Sequence, residues 1–270
     1  MSVDTLMTTE RDRKQAVQAA FARAADTYDA HVDVQRDVAE GLLRRLLAGP
    51  APVRILEIGC GTGNLTQGLA NAWPEAQILA IDFCPEMLAV ARRKLAGRAN
   101  VAFEAADGER IVAEEGLFDL ITSSAAFQWF DDLPLAARRF AQMLAPAGRL
   151  AFAMFGPGTF RELTQVLAQV WPEAVPAAAN FLEAETLRAL MSAQFCQVEI
   201  AEENYRREYP SLLELLRKIQ HTGTGAGQWH GMLSPSRLRR IEAAYRAAEG
   251  GIAASYQVYF CEARRKSIAA

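Results

Sequence analysis

The residues best placed to do chemistry begin in "ILEIGCGTGNL", which runs from Ile55 to Leu65. Gly59, Gly61 and Gly63 stand at every second position behind an apolar run that carries Glu57. Glycine adopts positive φ at little steric cost and lets a backbone approach a ligand closely. A strand that enters such a turn and then opens a helix suits a nucleotide. The dinucleotide fingerprint G-x-G-x-x-G needs a sixth-position glycine, and Asn64 stands there instead. A pyrophosphate ligand, and with it a dinucleotide oxidoreductase, is therefore disfavoured. Two later acids, Asp82 and Asp107, each close an apolar run. Cys60 reads as a small apolar filler within the loop.

The elements around these residues alternate in type. "VRILEI", "QILAID" (Gln77 to Asp82), "VAFEAAD", "FDLITSS" (Phe118 to Ser124) and "GRLAFAMF" (Gly148 to Phe155) read as strands. "LTQGLANAW", "PEMLAVARRKL" and "LPLAARRFAQML" read as the helices between them. Such βαβα order predicts an α/β fold with a parallel sheet and helices on both faces. Before it come a loose polar tail to about residue 10 and two helices near 11–26 and 32–48. After it come helices near 158–170 and 183–193, a strand near "FCQVEIAEENY", and a closing strand, "ASYQVYFCEAR". The roughly 45 residues between those last strands exceed any hairpin loop. They read as an inserted helical cap with a mobile glycine-rich middle.

Bulk properties narrow the function classes. The chain has 270 residues, 51% of them hydrophobic, and a formal net charge of −3. No overall basic field attracts nucleic acid or an anionic membrane. Cys60, Cys84, Cys196 and Cys261 form no C-x-x-C pair, and scattered thiols suit a reducing cytosol. The polar N-terminus lacks the apolar stretch of a signal peptide, and no metal site is expected.

The landmarks together resemble the class I S-adenosylmethionine (SAM) methyltransferases. "LEIGCGTG" is similar to their first motif. Asp82 follows Glu57 by 25 positions, where the family holds the ribose hydroxyls. A carboxylate accepts two hydrogen bonds from a diol. Asp82 could also cap the helix that starts at Pro85. Asp107 ends the third strand, where the family contacts the adenine amine. It could equally serve an ordinary Asp-Gly turn. "FDLITSSAAFQWF" is similar to the motif that lines the transfer site. The resemblance implies a Rossmann-like, mostly parallel seven-stranded sheet with an antiparallel last strand. It implies a helical lid over 1–50, a SAM-binding core over 51–205 and 252–270, and the cap over 206–251. Cofactor contacts implied are Tyr28, Gln35, Glu57, Gly59, Cys60, Gly61, Gly63, Asp82, Phe83, Met87, Ala106, Asp107, Gly108 and Ser123. Tyr28 either closes over SAM or serves as a core aromatic between the first two helices.

Within that class, "FARAADTYDAHVDVQRDVA", "SSAAFQWFDDL" and "FGPGTFREL" resemble the malonyl-[acyl-carrier protein] O-methyltransferases of biotin synthesis. The cap run departs from that family at "KIQHTG". The resemblance implies methylation of the free carboxylate of a malonyl thioester. A carboxyl with pKa about 4 is ionised at neutral pH, so no general base is needed. Substrate-positioning candidates are Gln128, Trp129, Phe155, Thr159, Arg161, Arg206, Arg207, Lys218 and His221. One of the four cations should hold the carboxylate. Gln128 could instead hold its own loop. His31 reads as a capping or polar contact, and His221 and His230 flank the cap's glycine run.

The implied partner is an acidic acyl-carrier protein, whose dock should be basic. Basic clusters lie at 92–94, 138–139, 206–207, 237–240 and 264–266, and those at 206–207 and 237–240 fall in or beside the cap. The competing readings are a methyltransferase for a small free acid or a quinone precursor, and a SAM-binding assembly factor or hydroxylase.

Overall fold

The structure is a computed structural model that describes residues 3–112, 116–222 and 234–266. Seven strands form one sheet: β1 (Arg54–Ile58), β2 (Gln77–Asp82), β3 (Val101–Ala105), β4 (Phe118–Ser124), β5 (Leu144–Phe155), β6 (Phe195–Tyr209) and β7 (Ile252–Arg265). Their order is β3-β2-β1-β4-β5-β7-β6. β1 pairs in parallel with β2 and β4, β2 with β3, and β4 with β5. The last strands run antiparallel, which completes the expected Rossmann-like architecture. Ile55, Leu56 and Ile58 are all buried, the near-continuous apolar pattern of a strand covered on both faces. β2 and β4 lie on opposite sides of β1, so the chain reverses direction there. In open α/β sheets, ligands bind beyond the strand ends at such a reversal.

The chain divides into two compact units. One comprises 32–154, 183–202 and 259–270. In it α2 (Asp33–Leu47) buries Val34, Val38, Leu42 and Leu46 at helical spacing and packs on α3 (Asn64–Ala72). α4 (Pro85–Lys94) starts with its proline, whose missing N–H costs nothing there. α5 (Leu133–Met143) is capped by Asp132, whose Oδ1 accepts from Leu135 N at 2.9 Å. α7 (Ala184–Gln194) packs on α5. Arg149 is 3% exposed; its Nη2 donates to Leu46 O at 2.7 Å and its Nη1 lies 3.4 Å from Glu262 Oε1.

The other unit comprises 1–31, 155–182 and 203–258. α6 (Arg161–Val170) packs on α9 (Pro235–Glu249), and α8 (Leu212–His221) packs on both α9 and α1 (Val3–Ala24). Ser211 and Ser234 cap α8 and α9 by accepting from Glu214 N and Arg237 N, each at 3.2 Å.

Two expectations are corrected. α1 begins at Val3, so the stretch to residue 10 is helix rather than tail. Polar side chains made it look loose, yet no glycine or proline interrupts Val3 to Ala24. β5 begins at Leu144 rather than Gly148. Gly148 marks an irregularity inside the strand, where the register against β4 shifts between Phe118 and Leu120. A Cβ there would lie 2.9 Å from the carbonyl oxygens of both Ala145 and Phe118. The cap's glycine-rich middle, with His230, lies outside the described residues. Among the described residues no helix is long and apolar enough to cross a membrane.

Candidate active site

At the end of β1 the chain turns through three left-handed glycines, Gly59 (φ 70°), Gly61 (φ 54°) and Gly63 (φ 83°). They serve different ends. A Cβ on Gly59 would lie 2.4 Å from the Cβ of Ala126, so the loop is pressed against the segment after β4. A Cβ on Gly63 would come within 2.8 Å of Leu95 Cδ1. A Cβ on Gly61 would meet no described heavy atom within 4 Å. Gly61 is thus the point at which the backbone is open to a ligand.

Asp82 fixes this loop. Its Oδ2 accepts from Gly61 N at 2.8 Å and its Oδ1 from Cys84 N at 2.9 Å. It does not cap α4, whose N-cap is Cys84 with no side-chain bond. Burial raises the Asp82 carboxyl to about 6, against these backbone donors, which favour the charged form. With Phe83 also donating from the backbone, the carboxylate still keeps acceptor capacity for a further donor such as a hydroxyl. The Ile81 carbonyl accepts from both Gly59 N and Cys60 N, at 2.8 and 3.0 Å.

Glu57 is 1% exposed, and its Oε2 has no hydrogen-bond partner among the described residues. Burial pushes its carboxyl up to about 8; Thr66 pulls the other way and Asp82 adds to the rise. Leaving a buried polar atom unsatisfied costs about 1–3 kcal/mol, so its presence asks for a ligand that donates to it. Ser123 Oγ, Gln35 Oε1 and Gln128 Oε1 are likewise buried and without partner among the described residues. Gln128 holds its own loop through Nε2, which donates to Ala125 O at 2.7 Å, and leaves its acceptor end unused. Ala125 itself sits at φ 58°, a strained position for a non-glycine residue. Trp129 is half-buried on the 3-10 turn Phe127–Trp129.

Ala106 N donates to Asp82 O at 3.0 Å, which joins the ends of β2 and β3. Asp107 Oδ1 accepts from Glu109 N at 3.1 Å and shapes the following turn. A Cβ on Gly108 would lie 2.3 Å from Ile58 Cγ2, so that turn rests on the end of β1. Met87 is buried, Phe83 half-buried, and burial pushes the Cys60 thiol well up, as befits an inert filler. The strand ends of β1 to β4 therefore gather open backbone, paired acids and orphaned acceptors. Such a set suits a ligand rich in donors, with hydroxyls and an ammonium, and it is the set expected to hold SAM.

The remaining candidates lie in the other unit. Thr159 is buried, and its hydroxyl donates to Gln257 O at 3.1 Å. Phe155 and Phe160 flank Tyr256, with ring centroids 6.2 and 4.9 Å away. Tyr256 and Tyr209 share a hydroxyl hydrogen bond of 2.6 Å. Arg161 and Arg206 converge on Glu162, whose Oε1 lies 3.6 and 3.3 Å from them. Arg207 Nη1 donates to the Arg206 carbonyl at 3.1 Å. His31 caps the C-terminal end of the turn Tyr28–Ala30, its N donating to Tyr28 O at 2.9 Å, and its ring also stacks on His221, centroids 4.3 Å apart. Tyr28 is half-buried and edge-on to Phe21, at 6.2 Å.

Glu162 was not anticipated. It is 3% exposed, its Oε2 accepts from Ser255 N at 2.9 Å, and its Oε1 accepts from Ser255 Oγ at 2.5 Å. The "REL" of "GTFREL" is the only local signal. The partners that define its role stand up to 93 residues away.

Comparison with known proteins agrees with this geometry. Residues 55–148 match the methyltransferase domain family. The chain is 33% identical to the malonyl-[acyl-carrier protein] O-methyltransferase of Halorhodospira halophila, over 92% of this chain and 86% of the relative. It is 33% identical to the protein of the same name from Bacillus anthracis, over 92% of this chain and 96% of that one. Among solved structures it is similar to the YcgJ protein of Bacillus subtilis, with a TM-score of 0.61, 19% identity, and coverage of 84% and 99%. It is also similar to phosphoethanolamine N-methyltransferase 2 of Haemonchus contortus, with a TM-score of 0.55, 17% identity, and coverage of 84% and 52%. With the near-complete alignment to its curated relatives, the chain belongs to the malonyl-[acyl-carrier protein] O-methyltransferase family.

Proposed function

We propose that this protein transfers the methyl group of SAM to the free carboxylate of a malonyl thioester carried on acyl-carrier protein. The product is the methyl ester that primes pimeloyl assembly for biotin. The observation that carries this reading is the match to relatives named malonyl-[acyl-carrier protein] O-methyltransferase over 92% of this chain. SAM supplies a methyl group on a sulfonium, an electrophile that needs no activation by the protein. The carboxylate is ionised at neutral pH, so the chain needs no general base. Its work is to bind, align and exclude water from two opposite charges that cancel on reaction.

In this reading Glu57 and Asp82 take the donors of SAM, Gly61 gives it backbone access, and Ser123, Gln35 and Gln128 supply further acceptors. Lys218, one turn before His221 on α8 and close enough to His31 to lower its pKa, is our assignment for the malonyl carboxylate. The four free cysteines support a cytosolic location.

The test is incubation with methyl-labelled SAM and malonyl-carrier protein, with acetyl-carrier protein as control. Label on the malonyl thioester alone, removable by mild esterase, is the expected result. Label on neither thioester, with SAM bound, would overturn the substrate and turn attention to small free acids.

A further inference from the structure

Within the basic clusters at 92–94, 138–139, 206–207, 237–240 and 264–266, the structure engages most of the cations internally. Arg92 donates to Phe103 O at 2.9 Å, and Lys94 to Asn64 Oδ1 at 2.8 Å. Arg139 binds the Glu109 carbonyl. Arg206 pairs with Glu162 and Glu249, at 3.3 and 3.7 Å, and Arg207 holds the Arg206 carbonyl. Arg264 lies 3.8 Å from Glu262, Arg265 binds the Leu144 carbonyl, and Lys266 donates to Ala193 O at 2.9 Å. Arg138 stands exposed without such a contact among the described residues, but singly; α9 carries two such cations in succession. There Arg239 and Arg240 are both exposed, and neither has a hydrogen bond, ion pair or ring contact among the described residues.

The setting of this pair runs against local helix chemistry. The first turn of α9 contains no acid, although negative charge is favoured there. Arg237 occupies that turn and is accommodated over the Trp171 ring, 4.3 Å from its centroid. Arg240 follows it at i+3, a like-charge spacing that disfavours the helix. The acid able to offset Arg239 at i+3 is Glu242, and it is turned to Arg246 at 2.8 Å. Glu249, at the other end of the helix, is committed to Arg206. A chain of net charge −3 thus leaves two adjacent guanidiniums uncompensated on one helix face. Positions that break a local rule without a compensating gain in the fold are where function is to be sought.

We infer that the Arg239–Arg240 face of α9 is the docking surface for the carrier protein, a small acidic partner whose carboxylates supply the missing counter-charges. This rests on the proposed function above. Exposed guanidiniums meet carboxylates bidentately and act on encounter as well as on affinity. The 206–207 pair, equally attractive in the sequence, is excluded from this role because Arg206 already holds two acids.

The test is direct binding of fluorescently labelled carrier protein at low salt, with the full-length protein. The comparison set is wild type, R239E/R240E and R138E, since Arg138 is also exposed and without a described partner. We expect the double reversal to weaken binding at least tenfold and R138E to change it less than twofold, with all affinities falling as salt rises. Methylation of malonyl-coenzyme A, which has no protein to dock, should be the same in wild type and R239E/R240E. Equal affinity of wild type and double reversal, or no carrier binding while malonyl-coenzyme A is methylated, would overturn the docking surface. Binding lost as expected, with no malonyl thioester methylated by wild type, would leave the dock standing and remove the substrate reading instead.

Discussion

The imidazole of His31 lies nearly flat on that of His221, ring centroids 4.3 Å and planes 16° apart. His31 follows the turn Tyr28–Ala30, whose Tyr28 carbonyl accepts from His31 N at 2.9 Å. His221 ends α8, one turn after Lys218. The contact joins the N-terminal segment to α8 within one compact unit. Burial first, then the charges of His221 and Lys218, hold the His31 pKa below its ordinary value of 6.5.

Acid should loosen that contact. A histidine with a depressed folded pKa takes its proton more readily in the unfolded chain. Its contribution to stability is present at neutral pH and lost as pH falls below 6.5. Wild type should lose melting temperature between about pH 7.5 and 5.5, and His31→Phe, which keeps a ring to stack, should lose less. Parallel melting curves across that range would refute the assignment.

Glu57 should act in the opposite direction. Its carboxyl is raised to about 8 from an ordinary 4.5, so the folded chain keeps a proton that the unfolded chain has released. Stability from this group is full below 4.5 and is lost as pH rises through 8. Glu57→Gln, neutral at every pH, should flatten that decline in chemical denaturation of the ligand-free protein. The same variant should bind SAM about ten- to a hundredfold more weakly, the worth of a charged hydrogen bond. Unchanged affinity by calorimetry would remove Glu57 from the site.

The glycines should separate by cause. Gly59→Ala meets both a positive φ and the Ala126 Cβ at 2.4 Å, and should cost about 2–4 kcal/mol of stability. Gly61→Ala has only its φ of 54° to overcome, and should cost about 1–2 kcal/mol while losing most SAM binding. Urea denaturation ranks the first effect, and a SAM titration the second. Equal stability losses would refute the contact with Ala126 as the cause at Gly59, and unchanged SAM affinity in Gly61→Ala would mean that the open space there has no bearing on the ligand.

How much of this was legible depended on sequence distance. The boundaries of β2 and β4 coincide with their apolar runs, because those strands are covered on both faces and bounded by turns. Glu57, the glycines and Asp82 were readable because strand, turn and helix follow each other without a gap. Arg149 and Glu162 were not. Arg149 reads as one charge in a strand, yet it is buried against Leu46 O and Glu262, residues 103 and 113 positions away. The meaning of a buried charge lies in its partners, and no local pattern announces partners brought by β7. The cation clusters show the same limit, since pairing with Glu162 and Glu249 is what sets Arg206 apart from Arg239.

Lys218 provides the last test, because it separates binding from chemistry. Arg161 and Arg206 share the Glu162 carboxylate, which lowers their capacity to hold a second one. Lys218→Gln removes the charge and keeps a donor of similar reach. Losing one charge-assisted hydrogen bond to a carboxylate is worth about 1.5–3 kcal/mol, or roughly ten- to a hundredfold in affinity. The expected result is a rise of that size in KM for the malonyl thioester, with SAM affinity unchanged. Losing a contact that is equally strong in ground and transition states raises KM and leaves kcat alone. A fall in kcat with constant KM would instead place Lys218 in alignment of the reacting atoms, and no change in either would return the carboxylate to the arginines.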